Sequence, residues 1–155
     1  MQDTRALEKA SVLVAEDDPD TRAFLRCWLE GEGLDVLTAE DGAEALALLA
    51  RSRPDLILTD LARPEVDGLE LIQQVKRRAE FAAIPIVAMT SYRGRHHSDA
   101  LSAGAAAVLR KPDDFDQLVG TIHQALLDSN LNTDARSPHS LAMSSSAHHY
   151  VAGAN

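Results

Sequence analysis

The stretch Pro54-Asp55-Leu56-Ile57-Leu58-Thr59-Asp60 constrains the fold more than any other part of the chain. Leu56, Ile57 and Leu58 form a continuous apolar run with polar residues on both sides. A strand of that pattern needs cover on both faces, as in a parallel sheet. Proline ends a preceding helix and fits the first residue of a strand, so Pro54 marks where this strand starts. The run stops at Asp60, which places a carboxylate at the strand's carboxyl end. In open α/β sheets ligand chemistry lies just outside those ends, so Asp60 is expected to be the reactive group.

The same pattern recurs along the chain. Ser11-Val12-Leu13-Val14-Ala15 reads as a buried strand and ends in Glu16-Asp17-Asp18. Pro19 suits the first turn of a helix, with Asp18 as its cap. Phe24, Leu25, Trp28 and Leu29 give that helix one apolar stripe, Cys27 is a small residue beside the stripe, and Gly31 and Gly33 end the helix. Residues 34–39 form a second strand. Asp41 and Glu44 resemble a capping box that opens an Ala/Leu-rich helix to about Ser52. After the strand that ends at Asp60, Pro64 and Gly68 mark a loop. Leu69, Ile72 and Val75 predict a helix over 69–79, residues 84–89 a fourth strand ending at Thr90-Ser91, and residues 92–103 a more polar helix closed by Gly104. A small-residue strand over 105–109 leads to Arg110-Lys111-Pro112. Phe115, Leu118, Val119, Ile122, Ala125 and Leu126 predict a last amphipathic helix. This alternation argues for a doubly wound α/β fold, a five-stranded parallel sheet with helices on both faces.

The totals narrow the function classes. A chain of 155 residues fits one domain with a full core. Residues 1–10 are read as a polar lead-in, 11–128 as the domain, and 129–155 as a disordered tail, because Ser, Ala, His and Asn replace apolar periodicity there. Within the tail, His139, His148 and His149 are only a weak metal signal. The formal net charge is −9. Residues 129–155 hold one acid (Asp134) and one base (Arg136), so the excess sits in the domain and disfavours nucleic acid as a partner. Cys27 is the sole cysteine, which rules out an intramolecular disulfide and points to a reducing compartment. The opening MQDTRALEKA carries acids and lacks an apolar segment, so no secretory signal is expected. No run reaches membrane-spanning length. The expectation is a cytoplasmic protein that works away from membranes.

Three strand ends carry the chemistry: Glu16 and Asp17 after the first, Asp60 after the third, Thr90 after the fourth. Lys111 follows the fifth. A doubly wound sheet brings these ends to one edge. Two unit charges about 4 Å apart repel by about 4 kcal/mol at an effective dielectric near 20, so such an acid cluster calls for a cation. A small all-oxygen ligand set suits Mg²⁺. A carboxylate beside Mg²⁺ is a fitting phosphoryl acceptor. Lys111 would pair with the new phosphoryl oxygens and the Thr90 hydroxyl would donate to another.

Over about residues 11–127 the chain resembles the receiver domain of bacterial two-component response regulators. The motifs are Val-Leu-Val-Ala-Glu-Asp-Asp-Pro, Pro-Asp-Leu-Ile-Leu-Thr-Asp, Pro-Glu-Val-Asp-Gly, Met-Thr-Ser, and Ala-Gly-Ala followed by Lys-Pro. The resemblance implies the flavodoxin-like receiver fold with sheet order 2-1-3-4-5, the order of the chemotaxis receiver. It implies Asp60 as phosphoacceptor. Asp17 would bind Mg²⁺ directly, Glu16 through water, and the Ala62 backbone carbonyl as a third protein ligand. Thr90 would be the switch hydroxyl and Lys111 the phosphate-pairing lysine, aimed by a cis bond to Pro112. Val108 stands where receivers usually carry a switch Tyr or Phe, Arg63 where Met is usual, and Asp113 where Phe is common.

The function so implied is a stand-alone response regulator. It takes a phosphoryl group from a histidine kinase or histidine phosphotransfer protein and signals through an unidentified protein target; it is not an enzyme beyond its own phosphorylation and dephosphorylation. Two other readings compete. A phosphorylation-independent binding module would agree with Val108. A Mg²⁺-dependent phosphohydrolase would usually carry an acid two residues after the nucleophile, where this chain has Ala62. Nucleotide binding lacks a Gly-rich loop after the first strand.

Overall fold

The computed structural model describes residues 10–61, 67–90, 95–111 and 113–135. Strands and helices alternate: β1 (Ser11–Ala15), α1 (Pro19–Gly31), β2 (Asp35–Ala39), α2 (Gly42–Ser52), β3 (Leu56–Asp60), α3 (Asp67–Arg77), β4 (Ile86–Thr90), α4 (Arg95–Ala103), β5 (Ala107–Arg110) and α5 (Leu118–Ala135). A 3₁₀ turn at Phe115–Gln117 precedes α5. The five strands form one sheet in the order β2-β1-β3-β4-β5. Every neighbouring pair is parallel. The doubly wound α/β fold and its 2-1-3-4-5 order are therefore as expected.

Two-sided burial explains why the central strands are apolar throughout. Successive side chains of a strand point to opposite faces. Val12, Val14, Leu56, Leu58, Val87 and Met89 pack under α1 and α5, against Leu25, Leu29, Leu118 and Ile122. Leu13, Ile57, Ile86 and Ala88 face the other way, against Ala45 and Leu49 of α2, Ile72 and Val75 of α3, and Ala100 of α4. Leu56, Ile57 and Leu58 are fully buried. Each stabilises the fold by about 1.5–3 kcal/mol relative to exposure.

The helix ends follow local chemistry. Asp18 caps α1, accepting from the Thr21 N–H at 2.8 Å and the Thr21 hydroxyl at 2.6 Å. Asp41 caps α2 by accepting from the Glu44 N–H at 2.9 Å. Glu44 reaches back to the Glu40 N–H at 2.7 Å, one residue earlier than a reciprocal capping box would place it. Gly104, at φ 121°, closes α4 in a conformation that side chains resist. Arg53 closes α2 with φ 47°, a left-handed residue that is not glycine.

Several boundaries differ from the sequence reading. The third helix spans Asp67–Arg77 rather than 69–79. The fourth is described from Arg95. Phe115 belongs to the 3₁₀ turn and not to α5. Helix α5 continues to Ala135, past the expected break at 128. Once a helix is nucleated, extension is easy, and no Gly or Pro interrupts the chain from Thr121 to Ser137. On α1 only Leu25 and Leu29 are buried, because the sheet covers a narrower stripe than the apolar spacing suggests. Phe24 is 51% exposed and packs laterally on Trp28 and Phe115. Cys27 is exposed. Ala62, Arg63, Pro64, Tyr92, Pro112, the first nine residues and residues 136–155, with the three tail histidines, lie outside the described residues. Among the described residues no helix is long and apolar enough to cross a membrane.

Candidate functional site

The strand register assembles the site. Ala15 pairs with Thr59, so the next residues, Glu16 just past the end of β1 and Asp60 at the end of β3, lie side by side. Asp60 pairs with Met89, which places Thr90 one step beyond on β4. Thr90 pairs with Arg110, which places Lys111 one step beyond the end of β5. Strand order reverses between β1 and β3, the switch point where open α/β sheets form a crevice. Asp60 stands at that point.

Burial makes these groups consequential. Glu16 is 2% exposed, Asp60 6% and Thr90 0%. Asp17 lies on the exposed side of the cluster. Lys111 Nζ donates to Glu16 Oε1 at 3.0 Å and reaches Asp60 Oδ2 at 3.2 Å. The second Glu16 oxygen, Oε2, accepts from the Asp18 N–H at 3.2 Å. The Lys111 N–H donates to the Thr90 carbonyl at 2.8 Å, which fixes the root of the lysine on β4. Val108 is buried on β5 opposite Ala88.

The acids are incompletely neutralised. Burial, then the charge of Asp60, raises the Glu16 carboxyl from 4.5 to about 7, although Lys111 pulls the other way. For Lys111 burial alone would lower the pKa, but the carboxylates of Asp60 and Glu16 outweigh it and raise the ammonium above its ordinary value. One carboxylate oxygen from each of Glu16, Asp17 and Asp60 lies within 4.8 Å of the others. Three carboxylates and one ammonium leave a formal charge of −2. An all-oxygen set with that residual charge fits a hard divalent cation. The pocket above them is also lined by Thr59, Glu40 and Gly68.

All the acids singled out in the sequence come together with Lys111. Thr90 lies on the adjacent strand, and the Ala62 carbonyl falls outside the described residues. Two contributors were not singled out. Gly68, at the start of α3, lies against the backbone of Asp60; an added Cβ would collide with the Asp60 carbonyl oxygen and come within 2.9 Å of the Leu61 side chain. Its signal in the sequence was the Asp-Gly pair ahead of the apolar spacing. Arg22, in the first turns of α1, donates from Nη1 to the Glu16 carbonyl at 2.8 Å. No sequence pattern announces such a contact.

Comparison with known proteins agrees with this geometry. The family profile of the response regulator receiver domain matches residues 12–123. An uncharacterised 14.6 kDa protein of Leptolyngbya boryana is 40% identical over 124 residues, which cover 79% of this chain and 95% of that protein. The DNA-binding transcriptional regulator NtrC of Escherichia coli is 38% identical over 126 residues, 77% of this chain but only 25% of that protein. Among solved structures, the Vibrio cholerae chemotaxis protein CheY4 superposes with a TM-score of 0.69 at 29% identity, over 76% of this chain and 98% of that one. With its sheet order, its acid cluster and its strand-end lysine, the chain belongs to the response regulator receiver domain family.

Proposed function

We propose that Asp60 accepts a phosphoryl group from a histidine kinase or histidine phosphotransfer protein, and that the chain signals as a response regulator receiver. The observation that carries this reading is the Asp60 carboxylate at the switch point, with Lys111 at 3.2 Å and two further acids beside it. An Asp60 oxygen attacks the phosphorus. The bond from phosphorus to the donor nitrogen breaks, and that nitrogen leaves with the electron pair and is protonated. Positioning and charge stabilisation do most of the work in such a transfer.

Glu16 and Asp17, with Asp60 and the Ala62 carbonyl, would hold Mg²⁺. When bound, the ion supplies positive charge to the transferring phosphoryl oxygens. Lys111 exchanges its contact with the free carboxylate for one with a phosphoryl oxygen. The Thr90 hydroxyl donates to another. These movements bias a face made by α4, β5 and α5, which a downstream protein reads. Moving that face from 1:99 to 99:1 takes about 5.5 kcal/mol of differential stabilisation. Val108 has no ring to swing inward, so the shift is smaller here than in receivers with an aromatic at that position. The chain acts in the cytoplasm, turns over no external substrate, and needs neither nucleic acid nor membrane. The receiver, expected over residues 11–128, extends with α5 to Ala135, and a tail follows.

Intact mass after incubation with acetyl phosphate tests the proposal. One labile phosphoryl group should appear with Mg²⁺, and none should appear without Mg²⁺ or in Asp60→Asn. A Mg²⁺-independent gain, or a gain retained in Asp60→Asn, would defeat it. Val108 favours one competing reading, a partner-binding module indifferent to phosphorylation. That reading requires Asp60→Asn to leave signalling in cells unchanged.

A further inference from the structure

The acid pair of the β1–α1 loop projects its carboxylates toward Asp60, so its backbone has to be held by something else. The Arg22 side chain reaches that backbone. Arg22 Nη1 donates to the Glu16 carbonyl at 2.8 Å and approaches the Asp17 carbonyl at 3.4 Å. The Arg22 backbone N–H makes the first regular bond of α1, to the Asp18 carbonyl at 2.9 Å, which seats the side chain beside the loop. Two successive loop carbonyls, those of Glu16 and Asp17, thus meet the side chain of a single residue in the first turns of α1.

We infer that Arg22 is a positioning residue for the cation site: it clamps the loop backbone so that Glu16 and Asp17 present their carboxylates together with Asp60. The inference rests on the reading that these acids hold Mg²⁺. The contacts go to carbonyl oxygens and leave the carboxylate oxygens to the cation. Lys111, in contrast, occupies a carboxylate oxygen of Glu16 and one of Asp60. Both contacts come from Nη1, and a planar guanidinium holds that nitrogen's two N–H groups in a fixed orientation, whereas an ammonium is a point donor on a flexible stem. Groups that orient metal ligands change metal affinity by about 10–100-fold when they are removed.

The test compares the wild type with Arg22→Met, which keeps much of the apolar stem, and Arg22→Lys. Titration calorimetry reads Mg²⁺ affinity. Amide hydrogen exchange in metal-free buffer reads the loop through the Asp18 N–H, which is bonded to Glu16 Oε2. Thermal melts in chelator read the fold. Arg22→Met should weaken Mg²⁺ binding about tenfold or more and speed exchange at Asp18, with a melting temperature close to wild type. Arg22→Lys should fall between. Wild-type Mg²⁺ affinity in Arg22→Met, or unchanged exchange at Asp18, would overturn the inference. A merely structural role would lower the melt and leave Mg²⁺ affinity intact, and that result overturns it too. If Arg22→Met fails to fold, Arg22→Lys decides by the same criteria. Should the wild type bind no Mg²⁺, the reading of the acid cluster falls, while the metal-free exchange still judges the clamp.

Discussion

Replacing Glu16 with Gln should stabilise the metal-free domain at alkaline pH and leave it nearly unchanged at acid pH. The Glu16 carboxyl is 2% exposed, and burial together with Asp60 lifts it from 4.5 to about 7. In that window the folded state binds more protons than the unfolded one. Stability therefore falls as pH rises from about 4.5 to about 7 and stays low above it. At about 1.4 kcal/mol per pH unit, the full cost is about 3 kcal/mol. Gln keeps the shape, keeps an oxygen for Lys111 Nζ, and has no proton to lose. In chelator at pH 8, Glu16→Gln should melt on the order of 10 °C above the wild type; at pH 4.5 the two should nearly coincide. Circular dichroism melts across that range, with Mg²⁺ removed, measure it. A wild type as stable as Glu16→Gln at pH 8, or one that gains stability between pH 5 and 7 relative to the variant, would refute the claim that the cluster is under-neutralised.

Other outcomes follow from single residues. Mg²⁺ should bind more tightly as pH rises through about 7, by up to about tenfold between pH 6 and 8, and calorimetry on Glu16→Gln should show that dependence flattened. Gly68→Ala should impair phosphoryl acceptance more than ten-fold, because its Cβ would force the Asp60 carbonyl aside; intact mass over time reads it. Arg53→Gly should raise stability by about 1 kcal/mol in denaturant titration, since a left-handed non-glycine residue is strained. Leu58→Ala should cost about 2–5 kcal/mol by the same method, because the side chain is fully buried between β3 and its covering helices.

Much of this fold is legible in the sequence because a strand covered on both faces must be apolar along its whole length. Leu56, Ile57 and Leu58 announce such a strand, and the polar residues after each strand announce the crevice edge. Lys111 and Thr90 are legible for the same reason: they stand where apolar runs stop. What escaped depends on tertiary approach. The clash waiting at Gly68 exists only because α3 starts against the Asp60 backbone. Arg22 works through carbonyl oxygens, which leave no mark on side-chain spacing. Phe24 has the right helical spacing for a core residue, yet it lies outside the buried Leu25 and Leu29 stripe and stacks on Phe115 instead. The helix beyond 128 also escaped, because propagation needs only the absence of a breaker and no apolar pattern.

The proposed role of Asp60 as phosphoryl acceptor among the clustered acids can be trapped chemically. Borohydride converts an aspartyl phosphate to homoserine, which marks the acceptor permanently. After reaction with acetyl phosphate and Mg²⁺, reduction and peptide mapping should find homoserine at position 60 and nowhere else. Reduction at Asp17, a reduced glutamyl phosphate at Glu16, or a phosphorylated domain with an unmodified Asp60 would contradict the account.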